Sequence, residues 1–183
     1  MCIGKLILYP TDPETVPPAA QALSNSLRLL GLIGQPMGAD ADGFLAGERF
    51  LQLISFVGCS PAVCLNPQEE RTTGLCHLSI WGPFDSPQLL FSQDCRPPRC
   101  PSCQQSLPNW KEFADKREIV CKRCGASQQA GDITWGRRAG YGRIFIEIHN
   151  IFPGEAQPVA GFLNQLERET GLSWDYFFTA SNQ

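Results

Sequence analysis

The chain opens on a short apolar run, "CIGKLILYP", closed by the turn residues "TDPE", and this pattern predicts a first strand. The period then changes. Val16, Ala19, Ala20, Leu23, Leu27 and Leu30 recur at helical spacing, Thr15 is placed to cap, Pro17 and Pro18 fall in a first turn, and Gly31 provides a stop. An amphipathic helix is expected from Thr15 to Leu30. "GQPMGADADG" reads as a loop, "ERFLQLISFVG" as a strand rich in aromatic and branched residues, and "CSPAVCLNPQEERTTG" as irregular chain.

"LCHLSIWG" and "QLLFSQ" flank the turn residues "PFDSP", which predicts an antiparallel hairpin. Further on, "GRIFIEIHNIF" gives the clearest alternation in the chain. Ile144, Ile146 and Ile148 share one face, and Arg143, Phe145, Glu147 and His149 the other. A second helix follows from about Pro158, with Val159, Phe162, Leu163 and Leu166 on one face and Gly171 as its stop, and "SWDYFFTA" is a last strand. The order of elements implies an α+β two-layer sandwich: a mostly antiparallel sheet carrying two helices on one face, loosely of the ferredoxin-like split type. A cysteine-rich stretch interrupts it. The expected organisation is a discontinuous host, residues 1–94 and 140–183, with a module of residues 95–139 inserted.

Composition supports a packed interior. Of 183 residues, 43% are hydrophobic and 18% charged, so general disorder is excluded. No run approaches the roughly 18 apolar residues of a membrane span, and the first residues lack a cleavable signal pattern, so a cytoplasmic protein with no membrane partner is expected. The nine cysteines, an odd number without an export signal, argue against a disulfide framework. Five of them, Cys2, Cys59, Cys64, Cys76 and Cys95, sit mostly beside apolar residues, where a thiol behaves as a small hydrophobe.

The other four carry the chemistry. "CPSCQQSLPNWKEFADKREIVCKRCG" has the pattern C-x2-C-x17-C-x2-C, in which each close pair can grip one side of a tetrahedral ion while the intervening residues fold back. The knuckles "CPSC" and "CKRCG" resemble those of zinc-ribbon modules over about residues 98–136. The resemblance implies Cys100, Cys103, Cys121 and Cys124 as ligands, with Gly125 where the backbone must turn and aim its amides at sulfur. Gln104 departs from the pattern at the place where glycine is common in the first knuckle. Four thiolates close the shell around one Zn2+ and leave no position for an activated water, which makes the expected site structural. Iron held in rubredoxin fashion by the same ligands is the rival, and a redox dithiol pair a further one. Cys95 is set aside as a ligand because two prolines stiffen its path to Cys100.

Charge is segregated. Residues 95–143 hold ten Lys or Arg against four acids, while the rest of the chain is strongly acidic and the total is -3. Zinc on four thiolates carries -2, so the excess of +6 over residues 95–143 falls to +4 when the site is loaded. The cations of this stretch are interleaved with Trp110, Phe113, Trp135 and Tyr141, a mixture suited to phosphates and stacked bases. Lys122 and Arg123 lie in the second knuckle, and in "WGRRAGYGRI" three glycines allow Arg137, Arg138 and Arg143 to converge on an anion. That spacing matches neither a Walker loop nor a dinucleotide fingerprint, and a flexible return linker is the simpler reading.

Outside the module, His77, Ser79 and Trp81 share a strand face. If their strand lay beside "RIFIEIHNI", the only two histidines would meet Glu147 on a polar sheet face, and Glu147, His149 and His77 could act as acid-base partners. No nucleophile elbow, HExxH or phosphate loop accompanies them. The expectation is a non-enzymatic zinc-binding adaptor or accessory subunit that docks a protein partner through its zinc ribbon; nucleic-acid binding through the basic module comes second, and an enzyme using Glu147, His149 and His77 third.

Overall fold

The fold, seen in a computed structural model, is described for residues 4–38, 43–57, 63–68, 74–114, 116–152 and 154–180. In chain order the elements are β1 (Gly4–Pro10), α1 (Ala20–Leu29), β2 (Ile33–Pro36), β3 (Phe44–Ala46), α2 (Phe50–Leu53), β4 (Ile54–Phe56), β5 (His77–Trp81), β6 (Gln88–Phe91), β7 (Glu118–Val120), β8 (Ser127–Gln129), β9 (Ala139–Gly142), β10 (Phe145–Ile151), β11 (Ala156–Pro158), α3 (Ala160–Thr170) and β12 (Trp174–Ala180). Six strands form one antiparallel sheet in the order β12-β1-β10-β5-β3-β2, and three two-stranded sheets accompany it: β4 with β11, β6 with β9, and β7 with β8. This is the expected α+β architecture, dominated by antiparallel sheet.

Side-chain alternation divides the main sheet into two faces. Leu6, Leu8, Leu78, Ile146 and Ile148 turn to one side, where Leu23 and Leu27 of α1 and Phe162 and Leu166 of α3 cover them in the largest core. Each such side chain removed from water contributes roughly 1.5–3 kcal/mol, so this one face carries much of the fold's stability. On the reverse face Ile7, Tyr9, Phe145 and Phe177 form a smaller core with Phe84 and Leu90. Leu90 arrives on the β6–β9 ribbon, whose alternation makes it a shared wall. Leu90 and its cross-strand partner Gly140 face the sheet, while Leu89, Ala139 and Tyr141 face the cysteine module. Gly140 is required there: a Cβ would lie 2.8 Å from the rings of both Tyr9 and Phe177.

Several sequence expectations are corrected. α1 begins at Ala20, with Ala19 extended (φ -57°, ψ 146°), and Val16 is exposed. Proline disfavours helical backbone in the residue before it, so the Pro17–Pro18 pair holds the chain extended; the Thr15 hydroxyl donates to Asp12 (2.6 Å) and caps no helix. "ERFLQLISFVG" is a one-turn helix followed by a three-residue strand that pairs with β11, not a single long strand. β5 and β6 do not form a hairpin: β5 pairs with β10 and β3, and β6 with β9. The segment read as a loop supplies β2, and the supposed return linker supplies β9. Val159 caps α3 from an exposed position instead of lying on its buried face, and Gly171 ends that helix in the left-handed region (φ 71°) as expected. Cys64 and Cys76 are buried, as small hydrophobes should be; Cys2 and Cys59 lie outside the described residues.

Candidate metal centre

The four knuckle cysteines converge. The Sγ atoms of Cys100, Cys103, Cys121 and Cys124 all lie within 4.8 Å of one another, with Cys100–Cys124 at 3.9 Å and Cys103–Cys121 at 3.8 Å. Four sulfurs placed about 2.3 Å from a tetrahedral ion stand about 3.8 Å apart. The donor set therefore fits one thiolate-preferring metal, with every coordination position filled by sulfur. Cys95 is not in the cluster; its thiol donates to the Arg96 carbonyl.

The two knuckles share one backbone pattern. In the first, the Cys100 amide donates to Gln105 and the Gln104 amide to the Cys100 carbonyl, each at 2.8 Å; in the second, Cys121 donates to Ala126 and Gly125 to Cys121, each at 2.9 Å. Gln104 (φ 61°) takes the left-handed backbone that Gly125 (φ 72°) takes in its own knuckle. The missing glycine therefore leaves the geometry intact, at a strain of about 1–2 kcal/mol. The amides of Cys124 and Arg123 point at the Cys121 sulfur and pull its pKa down to about 7, which favours the thiolate that a metal binds.

Behind the sulfurs lies a core of its own. Trp110 and Phe113, on a short 3-10 turn, are 2% exposed and pack with Leu107, Ile119, Ile133 and Tyr141. Trp135 closes over Trp110 (5.8 Å) and Phe113 (5.7 Å), its indole N–H donating to the Ala130 carbonyl (3.0 Å). The aromatic residues interleaved with the cations are thus mostly interior, and only half-buried Trp135 shows ring surface. The cations scatter. Lys122 and Arg123 are exposed on the second knuckle. Arg137 pairs with Asp175 and lies over the Tyr176 ring (3.9 Å), Arg138 pairs with Asp94, and Arg143 donates to the Phe84 carbonyl (3.0 Å). The three arginines of "WGRRAGYGRI" do not converge on one point.

The sheet does bring the histidines together. β5 beside β10 stacks the His77 and His149 rings (4.3 Å between centroids, 11° apart in plane), and Ser79 Oγ (2.7 Å) and Glu147 Oε2 (3.1 Å) both reach His149 Nε2. Lys5, which sequence reasoning missed although it alternates with Leu6 and Leu8, donates to the same Glu147 oxygen (2.8 Å). Burial works against the Glu147 charge, but bonds from His149 and Lys5 outweigh it and bring its pKa to about 2. His77 is held below its usual value, first by burial. A nucleophile relay needs Ser on one imidazole nitrogen and the acid on the other. Here both share Nε2, so Ser79 is not activated. The cluster borders an open cleft of about 1110 Å3 shared with Trp81 and with Gln21 and Ser24 of α1.

Compared with protein-family models, curated proteins and solved structures, the chain has no match in any of the three. Among the described residues no helix is long and apolar enough to cross a membrane.

Proposed function

We propose that the protein is a non-enzymatic adaptor in which one structural Zn2+, held by Cys100, Cys103, Cys121 and Cys124, stiffens an inserted module that docks a protein partner. The observation that carries this reading is the closure of the sulfur cluster. With four thiolates around the ion, no site remains for substrate or activated water, so the metal organises a surface and does no chemistry. In this reading residues 95–139 are a zinc-ribbon insert in a host of residues 1–94 and 140–183, and the chain works in the reducing cytosol, where free thiols persist. Iron would occupy the same four sulfurs; zinc is favoured because the long polar insert suits a structural ribbon better than an electron carrier.

Protein docking is preferred over nucleic-acid binding because Trp110, Phe113 and Tyr141 are spent inside the module, leaving little ring surface for bases. What the module does present is charge on a metal-fixed knuckle, Lys122 and Arg123, and this suits an acidic protein surface. The test is metal analysis of the native chain together with co-purification from its own host, repeated for Lys122→Glu/Arg123→Glu. One zinc per chain and a partner lost in the double variant support the proposal. An iron spectrum, a metal-free chain or a solitary monomer would refute it, and a nucleic acid in the purified material, released steeply by salt, would replace it with the second reading.

A further inference from the structure

The outer strand of a sheet exposes a row of backbone donors and acceptors, and a fold that has no use for the row closes it. The main sheet closes both of its edges. At β12 the Tyr176 carbonyl accepts from Arg137 (2.9 Å), the Tyr176 amide donates to Asp175 Oδ1 (2.8 Å), and the Ala180 amide donates to Ser92 Oγ (3.4 Å). At the opposite edge β2 is four residues long and ends on Pro36, which has no amide proton to offer.

The cysteine module leaves β7 open. The Cys121 amide donates to Ala126 (2.9 Å) and the Ala130 amide to Arg117 (3.2 Å), so the backbone of Arg117, Ile119 and Cys121 turns toward β8. By alternation the backbone of Glu118, Val120 and Lys122 turns outward, where it meets no hydrogen-bond partner among the described residues. Side chains follow the same period. Ile119 and Cys121 are buried, whereas Glu118, Val120 and Lys122 are exposed, Val120 by 58%. A branched apolar side chain at the centre of an open edge is the reverse of how an unused edge is built.

We infer that the outer edge of β7 takes an extended segment of the protein partner as an added antiparallel strand, with an acid opposite Lys122, a branched apolar residue opposite Val120 and a base opposite Glu118. This rests on the adaptor reading and gives its docking mode. Main-chain hydrogen bonds supply the attraction in such strand addition, and alternate side chains supply the choice of partner. The charges on β7 set the direction of that choice. Lys122, with Arg123 beside it, calls for acids at the N-terminal end of an antiparallel strand, and Glu118 calls for a base at its C-terminal end. The antiparallel sense continues the β7–β8 pairing and is the more stable one per residue. Cys121 follows β7 directly, so a metal on the four sulfurs holds the edge in its extended shape before the partner arrives.

The test is an NMR titration of the full zinc-loaded chain with a capped seven-residue peptide that has two glutamates at its N-terminal end, a central valine, a lysine next to its last position, and threonine elsewhere. Saturable shifts are expected at the amides of Glu118, Val120 and Lys122, with slowed hydrogen exchange at Val120. Val120→Pro removes an outward donor and leaves the bonds to β8 in place, and should weaken the peptide about fivefold to tenfold. Methylating the amide nitrogen of the peptide's central valine should do the same without altering the protein. Lys122→Glu/Arg123→Glu should weaken it about fivefold, as should lysines in place of the two glutamates. No saturable shift in the wild-type chain would overturn the inference, as would equal binding of the lysine-for-glutamate peptide or unchanged affinity of the methylated one. A partner that co-purifies through Lys122 and Arg123 while the peptide fails to bind would overturn strand addition alone and leave the adaptor reading standing.

Discussion

Gln104 and Gly125 hold equivalent places in the two knuckles, both in left-handed backbone, at φ 61° and 72°. Only one of them is suited to it. Gln104→Gly should therefore stabilise the metal-loaded chain by about 1 kcal/mol, and Gly125→Ala should destabilise it by a similar amount. A Cβ at Gly125 meets no atom within 4 Å, so the second change isolates the backbone effect. Denaturant melts with zinc present read both; a neutral or destabilising Gln104→Gly would show that the first knuckle is not strained.

Metal removal should separate the two cores. Structural zinc is worth roughly 10–16 kcal/mol in small peptides, against about 5–15 kcal/mol for a whole domain, so a chelator should unpack Trp110, Phe113 and Trp135. The core between the main sheet and α1 and α3 contains none of the four ligands. Its helical circular dichroism should persist while the tryptophan fluorescence changes. Loss of both signals together would show that the sheet depends on the metal.

The seam between the cores can be tested at Gly140. A methyl group there is driven against Tyr9 and Phe177, and overpacking of this kind typically costs about 1–3 kcal/mol. Gly140→Ala should lower the melting temperature without reducing the zinc content, since the knuckles lie on the far side of the β6–β9 wall. Reduced zinc with an unchanged melt would place the strain in the wrong part of the molecule.

Acid should weaken the fold in two steps. His77 has a folded pKa below its unfolded value, so its contribution is complete above about 6.5 and is lost as pH falls through the lowered folded value. Glu147, at about 2 when folded, has its contribution complete above about 4.3 and lost between there and about pH 2. That second step is on the order of 2–3 kcal/mol, and Glu147→Gln should abolish it while leaving the His77 step. Stability measured against pH in the variant checks this; an unchanged acid limb would mean that Glu147 is not held by Lys5 and His149.

What could be read from the sequence followed from local physics. β1, β10, β12 and the body of both long helices declared themselves by period, and the four ligands by spacing, because each signal lies within a short stretch. The misreadings concern partners far away in sequence. "PFDSP" is turn-forming whichever strands it joins, and nothing in Gln88–Phe91 says that its partner is Ala139–Gly142, some fifty positions later. Trp110 and Phe113 among cations look alike in sequence whether they face solvent or each other; only the fold-back of β7 on β8, with the 3-10 turn before it, puts them inside. His77 and His149 could be placed on one face by alternation, but their stacking depended on β5 lying beside β10, and the shared Nε2 contact that removes the relay was beyond any pattern.

The two-sided β6–β9 wall has a consequence for the life of the protein in a cell. Its inner side, through Leu90, joins Phe84 in covering Ile7, Phe145 and Phe177. If loss of the ion loosens that wall, a greasy strip of otherwise intact sheet is bared, which is the kind of surface that chaperones and proteases recognise. Metal-starved copies would then be marked for removal while still largely folded. The abundance of the protein would follow the supply of its metal, with no dedicated sensor involved.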